Sequence, residues 1–219
     1  MTQIMLLTLA IVFFASPCFA QTPVALVEDV RGNSVGLEFM DYVASGKIIR
    51  LRPNDMLVLS YLNSCWSERI IGGTVTVGLE QSEVQGGKVT RTKVPCNTAQ
   101  FDLNSKQSIQ SAGTVFRGAT GVPGLTLYGL SPVVEAAGGT ALLIVRLDRA
   151  NEYHVATLRK KKGSSRSVLD LATVNKVLTP GGTYRASIGL RQIEFKVSPE
   201  AKPGRAPVIG RLLRFSPAS

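Results

Sequence analysis

Few side chains in this 219-residue chain have the types and spacing that chemistry demands. The one histidine, His154, stands in Tyr153-His154-Val155-Ala156-Thr157. A catalytic base there would need a nucleophile and an orienting acid beside it in space. The alternation with Tyr153 and Val155 instead makes it a surface or boundary residue of a strand. Paired acids are the minimum for glycoside hydrolysis, and Glu38 with Asp41 or Glu28 with Asp29 could be nominated. Each pair sits among strand candidates with no cleft-forming insertion, which reads as solvated surface acids. Cys65 lies beside Trp66, but no Cys-x-x-Cys occurs, so a redox site is not expected. A lone histidine with few cysteines leaves no credible zinc site. Gly72-Gly73, Gly86-Gly87, Gly138-Gly139 and Gly181-Gly182 are read as preceding strands, whereas phosphate- and dinucleotide-binding glycines precede helices. No catalytic residue, cofactor or metal is expected.

The strongest binding candidate is a basic cluster, Arg159-Lys160-Lys161-Lys162-Gly163-Ser164-Ser165-Arg166. It falls between two strand candidates, so it reads as a projecting loop, with Arg159, Lys160, Lys161, Lys162 and Arg166 offered to an anion or acidic partner. A charge run is also the ordinary make-up of a solvated hairpin loop. Lys202, Arg205, Arg211 and Arg214 would add to the same field. Residues 21–129 carry a net charge of +1 and residues 130–219 carry +9, so the asymmetry places any anion-binding role on the second half.

The compartment decides which anion. Residues 4–14 are apolar and lead into Ala15-Ser16-Pro17-Cys18-Phe19-Ala20, the pattern of a signal peptide cleaved after Ala20. The leader has no Lys or Arg, a departure from that pattern. The apolar run falls short of the roughly 20 residues a membrane span needs, and no later stretch of the mature chain reaches that length. An exported basic protein meets lipid headgroups, acidic polysaccharide or an acidic envelope protein before it meets nucleic acid. Removal of Cys18 leaves Cys65 and Cys96, and an even pair in an oxidising compartment reads as a disulfide. It closes a loop of 31 residues, worth about 3–4 kcal/mol on a chain-entropy account.

The elements that would carry these residues are short strands. Val24–Val30, Lys47–Leu51, Met56–Leu62, Thr74–Val77 and Lys88–Val94 read as strands, with Arg31–Ser34 and Arg52-Pro53-Asn54-Asp55 as turns. Glu38–Val43 fits a strand or a short helical turn. In Thr74-Val75-Thr76-Val77 the valines should point inward. Arg91 and Lys93 should guard an exposed edge. Such a pattern describes a compact all-β unit: a barrel, a sandwich or a short solenoid.

The order Val27-Glu28-Asp29-Val30-x-Gly32, Gly46-x-x-Ile49-x-Leu51, Asp55-x-Leu57-x-Leu59 and Gly72-Gly73-Thr74-Val75 resembles the FecR-like periplasmic domain over residues 24–90. The resemblance implies a non-enzymatic sensory or interaction module of the bacterial envelope. Founding members signal to a sigma factor; this sequence shows neither the cytoplasmic anti-sigma segment nor the transmembrane helix of those members, so only the module type carries over.

The Ser-, Gln-, Thr- and Gly-rich stretch 104–128 reads as a linker or long loop. Beyond it, Ala141–Leu147, Tyr184–Ile188 and the alternating Ile193, Phe195, Val197 are strands, while Ser167–Leu178 fits helix or strand. Leu178-Thr179-Pro180-Gly181-Gly182-Thr183-Tyr184 resembles the corner of immunoglobulin-like and fibronectin-type sandwiches, where a Tyr hydroxyl bonds back to upstream backbone. The expected organisation is a signal peptide at 1–20, a FecR-like all-β domain at 21–103, a linker at 104–128 and a basic Ig-like β-sandwich at 129–216. The expected function is a non-enzymatic interaction, scaffold or sensory protein of the bacterial envelope. The alternative is a periplasmic glycan- or peptide-acting enzyme that uses carboxylates.

Overall fold

The computed structural model describes residues 22–32, 35–97, 125–204 and 206–215. The expected signal peptide, residues 104–124 of the expected linker, and Arg205 lie outside the described residues. The described chain is all-β, with two short 3-10 turns as its only helical elements. None of the described helices is long and apolar enough to cross a membrane.

Strands β1 (Pro23–Arg31), β2 (Tyr42–Ala44), β3 (Ile48–Tyr61), β4 (Trp66–Val77), β5 (Ser82–Gln85) and β6 (Lys88–Lys93) make one antiparallel sheet. Its order is β2-β1-β3-β4-β5, with β6 also on β4. The predicted turn at Arg52–Asp55 lies inside β3, because the chain bulges there and resumes pairing with β4 at Met56. The turn chemistry survives within the bulge: the Arg52 N–H donates to Asp55 Oδ2 at 3.0 Å. Gly72 and Gly73 lie within β4 rather than ahead of it. There the strand changes partners, pairing with β6 over 66–71 and with β5 over 74–77. Both glycines hold positive φ, 65° and 85°, which costs glycine little. A Cβ on Gly73 would lie 2.5 Å from the Gln85 carbonyl. Val75 and Val77 point inward as expected and join Val27, Leu57, Leu59, Tyr61 and Ile70 in a core on one face.

The remaining strands are β7 (Thr126–Gly129), β8 (Val133–Ala137), β9 (Ala141–Arg146), β10 (Tyr153–Thr157), β11 (Arg159–Lys160), β12 (Arg166–Asp170), β13 (Thr183–Ile188), β14 (Arg191–Lys202) and β15 (Leu212–Phe215). They form a five-stranded sheet ordered β10-β9-β13-β14-β7 and a four-stranded sheet ordered β11-β12-β8-β15. β7 starts inside the stretch that reads as linker and runs parallel to β14; β15 runs parallel to β8. Leu142, Ile144, Tyr184, Phe195 and Val197 from one sheet meet Val134, Ala136, Leu169, Leu213 and Phe215 from the other in a shared core. The Tyr184 and Phe195 rings stack with centroids 5.7 Å apart. Ser167–Leu178 divides between both of its readings. It is strand to Asp170, whose Oδ1 then accepts the Ala172 N–H at 2.9 Å and caps a 3-10 turn at Leu171–Val174.

A third apolar cluster crosses between the halves. Leu26, Met40, Leu62 and Val94 pack with Val133, Val208, Ile209 and Leu212. The C-terminal segment therefore lies against the first sheet before it enters the four-stranded sheet, and the Ile209 N–H donates to Glu28 Oε1 at 3.1 Å. Cys65 and Cys96 form the predicted disulfide, Cα–Cα 5.8 Å. Cys96 packs against the third cluster, so the link ties the turn between β3 and β4, which holds Cys65, to the junction.

Candidate functional site

The basic segment 159–166 does not project freely. Lys161 and Arg166 are turned inward to the first half of the molecule. Lys161 Nζ lies 3.3 Å from Glu38 Oε2 and 3.1 Å from Asp41 Oδ1, and donates to the Phe39 carbonyl at 2.7 Å. Arg166 Nη1 reaches Glu135 Oε1 at 2.7 Å and the Met40 carbonyl at 3.2 Å. Glu135 is buried on β8 and gathers two more groups. The Tyr42 hydroxyl donates to its Oε2 at 2.6 Å, and Arg214 Nε lies 3.8 Å from the same oxygen. The guanidinium groups of Arg166 and Arg214 lie 5.0 and 4.9 Å from the Tyr42 ring centroid. Burial, and then the charge of Glu135, push the Tyr42 phenol far above its usual range. This assembly holds the halves of the chain together.

Arg159, Lys160 and Lys162 are left exposed, with no ion pair among the described residues. Arg159 and Lys160 are strand β11, at one edge of the four-stranded sheet. Beside them runs a groove of about 510 Å3, with Phe39, Leu169 and Val174 in its lining. The arrangement is a cationic rim next to a partly apolar floor, held by a sheet edge rather than by a loose loop. Of the more distant cations, Lys202 is exposed at the end of β14, and Arg214 is on Glu135. Arg211 is buried in a bidentate pair with Asp170, at 2.6 and 3.0 Å. Its remaining donors go to the Ser131 and Ala206 carbonyls. It is a structural cation.

The acids nominated from sequence have found partners. Glu38 and Asp41 are bridged by Lys161, and Asp41 Oδ2 accepts the Glu38 N–H at 2.7 Å. Glu28 and Asp29 line a groove of about 570 Å3 at the junction, together with Arg69, Thr90, Asp170 and Arg211. Burial pushes the Glu28 carboxyl up; the Ile209 N–H and the positive Arg211 oppose that shift and do not cancel it. Asp29 faces Arg31 at 3.7 Å, and both oxygens of Asp170 are bound to Arg211. His154 sits on the inner face of β10, its Nε2 buried without a hydrogen-bond partner. Burial, then nearby Lys176, hold its pKa below the usual value against the pull of Glu152. No three of His, Cys, Asp and Glu converge on a metal-sized site among the described residues.

Sequence reasoning missed two buried carboxylates. Glu68 on β4 is fully buried, accepts the Ser82 N–H, and receives Arg91 Nε at 2.7 Å. Arg91, expected to guard an outer edge, is thus folded over a buried acid. Glu135 is the other. Neither carries a local signal, since each is one polar residue inside a strand whose partners come from elsewhere in the chain. The Tyr184 corner was visible beforehand, and the geometry is the expected one. Its hydroxyl accepts the Thr179 N–H at 2.8 Å and donates to Glu152 Oε1 at 2.6 Å, with the Thr179 carbonyl at 3.3 Å. No protein-family model matches the chain, and no curated protein or solved structure matches it either.

Proposed function

We propose that this chain is an exported, non-enzymatic interaction or scaffold protein of the bacterial cell envelope whose basic edge holds an anionic envelope component. The observation that carries the reading is the division of the cationic segment. Lys161 and Arg166 fasten the segment to the rest of the fold, and that fastening presents Arg159, Lys160 and Lys162 together beside the 510 Å3 groove. A fixed cation cluster loses less conformational freedom on binding than a mobile loop would. In this reading residues 24–90 are a FecR-like module and 129–216 an Ig-like sandwich. The Gly72-Gly73-Thr74-Val75 segment supports the first, and the Tyr184 corner over two facing sheets supports the second. The disulfide supports export to an oxidising compartment.

The test uses the intact chain with vesicles containing phosphatidylglycerol and, separately, with polygalacturonate. Exchanging Arg159, Lys160 and Lys162 for Glu should weaken binding at least tenfold at low ionic strength and flatten its salt dependence. Salt-sensitive binding that survives the triple exchange would remove the proposal.

A second reading draws on the junction groove. The raised Glu28 carboxyl could serve as an acid in a glycan- or peptide-acting enzyme. Glycoside hydrolysis would also require a free carboxylate opposite it, whereas Asp29 and Asp170 both face arginines. Turnover of a peptidoglycan preparation that is lost in Glu28→Gln would favour this reading over the first.

A further inference from the structure

Strand β10 ends the five-stranded sheet. Its even-numbered residues pair with β9: the Glu152 carbonyl accepts the Arg146 N–H at 2.9 Å, and the Leu158 N–H donates to the Thr140 carbonyl at 2.8 Å. In an antiparallel ladder bonding alternates along the strand. The N–H and C=O of Tyr153, Val155 and Thr157 therefore point away from the sheet, toward an edge that no described strand covers.

Proteins usually blunt such edges with lysine, proline, a bulge or short length. Here β6 carries Lys88 and Lys93, β11 is Arg159–Lys160, and β2 has three residues. β10 has none of these devices: it reads Tyr-His-Val-Ala-Thr and pairs with β9 in unbroken register. Its outer face is also apolar. Tyr153 is 66% exposed and Val155 59%, and Leu143, directly opposite Val155 on β9, is 40% exposed.

We infer that β10 is the dimerisation edge of this protein, pairing antiparallel with β10 of a second copy about a two-fold axis at Val155. The edge is self-complementary in that register. Val155 faces its own equivalent, and Tyr153 faces Thr157 of the other copy, so all three outward-pointing residues exchange both backbone bonds. The side chains then form one stripe across the joined sheets, in the order Leu143, Val155, Val155 and Leu143, flanked by Tyr153. A two-fold contact of this kind closes on itself and limits the assembly to two copies.

Sedimentation of the intact chain between 1 and 100 µM tests the idea, with three substitutions at Val155. Val155→Lys places a charge at the axis, and Val155→Pro removes an N–H that points away from β9 and so leaves the existing ladder intact. Each should raise the dimer dissociation constant at least tenfold while the thermal midpoint of Val155→Lys stays within a few degrees of the parent. Val155→Cys gives a positive readout that does not depend on loss. Equivalent residues at the axis lie about 5.5 Å apart, within disulfide reach, and should cross-link on mild oxidation. Equivalent positions 157 lie roughly 14 Å apart along the paired strands, so Thr157→Cys should not. A parent chain that stays monomeric across the range overturns the inference. So does a dimer indifferent to Val155→Lys and Val155→Pro, or one cross-linked equally from 155 and 157.

Discussion

Arg166 places Nη1 2.7 Å from the buried Glu135 carboxylate and 3.2 Å from the Met40 carbonyl. It therefore joins β12, β8 and the segment ahead of β2 at one point. Glu135 is 2% exposed. The pair fixes where the cationic segment lies, and so it bears on the proposed binding edge without touching a ligand.

Glu135→Gln should be strongly destabilising. It removes the negative charge between Arg166, Arg214 and Tyr42 and leaves the cations half-buried without an acid. Breaking one side of a buried pair costs about 3–5 kcal/mol. Urea unfolding checks this, and an unchanged midpoint would show that solvent reaches the cluster. A joint replacement of Glu135 and Arg166 by Leu and Met should recover much of the loss, since no unpaired charge then stays in the Glu135–Arg166 position.

Tyr184→Phe tests the corner that joins β13 to the preceding loop. The ring would still stack on Phe195, so apolar burial is kept while the hydroxyl contacts to Thr179 and Glu152 disappear. Leaving the Thr179 N–H and a Glu152 oxygen short of a partner should cost about 1–3 kcal/mol. The same change at exposed Tyr153 should cost little in the monomer. Equal losses at both positions would contradict the account.

What was legible beforehand was local. Alternation at Ile193, Phe195 and Val197 reports which face is buried, because side chains on a strand alternate every residue. The Thr179–Tyr184 corner spans six residues and can be read as a motif. The Cys65–Cys96 pairing followed from having only two cysteines after the expected cleavage. The cationic segment was visible as composition, but its docking was not. Lys161 finds the Phe39 carbonyl 122 residues away, and Glu135 finds Tyr42 across 93. No local periodicity reports such pairings. Gly72-Gly73 was read as a strand entrance because positive φ is common at turns; the same freedom serves here to pass one strand between two partners.

Gly73→Ala should therefore damage the first sheet more than an ordinary surface change. The new methyl would meet the Gln85 carbonyl at 2.5 Å and the Gly87 amide nitrogen at 2.6 Å, both backbone atoms, at a φ of 85°. Strain of that kind exceeds the roughly 1 kcal/mol that a compatible Gly-to-Ala change can gain from the unfolded chain. Loss of hydrogen-exchange protection concentrated in β5 and the hairpin to β6, with the sandwich strands unaffected, is the expected signature. Uniform loss across both halves would show instead that the sheets unfold as one unit.

His154 sets a pH dependence whose sign follows from its burial. Its folded pKa lies below the ordinary value of about 6.5, first because the ring is buried and then because Lys176 is near, with Glu152 opposing. The unfolded chain thus takes up the proton more readily. Stability is fully present above about pH 6.5 and falls as pH drops toward the folded pKa, because unfolding then binds a proton. His154→Leu should remove this slope, and it should not cost a hydrogen bond, since Nε2 has no partner to lose. Denaturant midpoints measured at pH 7.5, 6.5 and 5.5 for the parent and the variant decide it. Parallel curves for the two proteins would mean that His154 is as free to charge in the folded state as in the unfolded one.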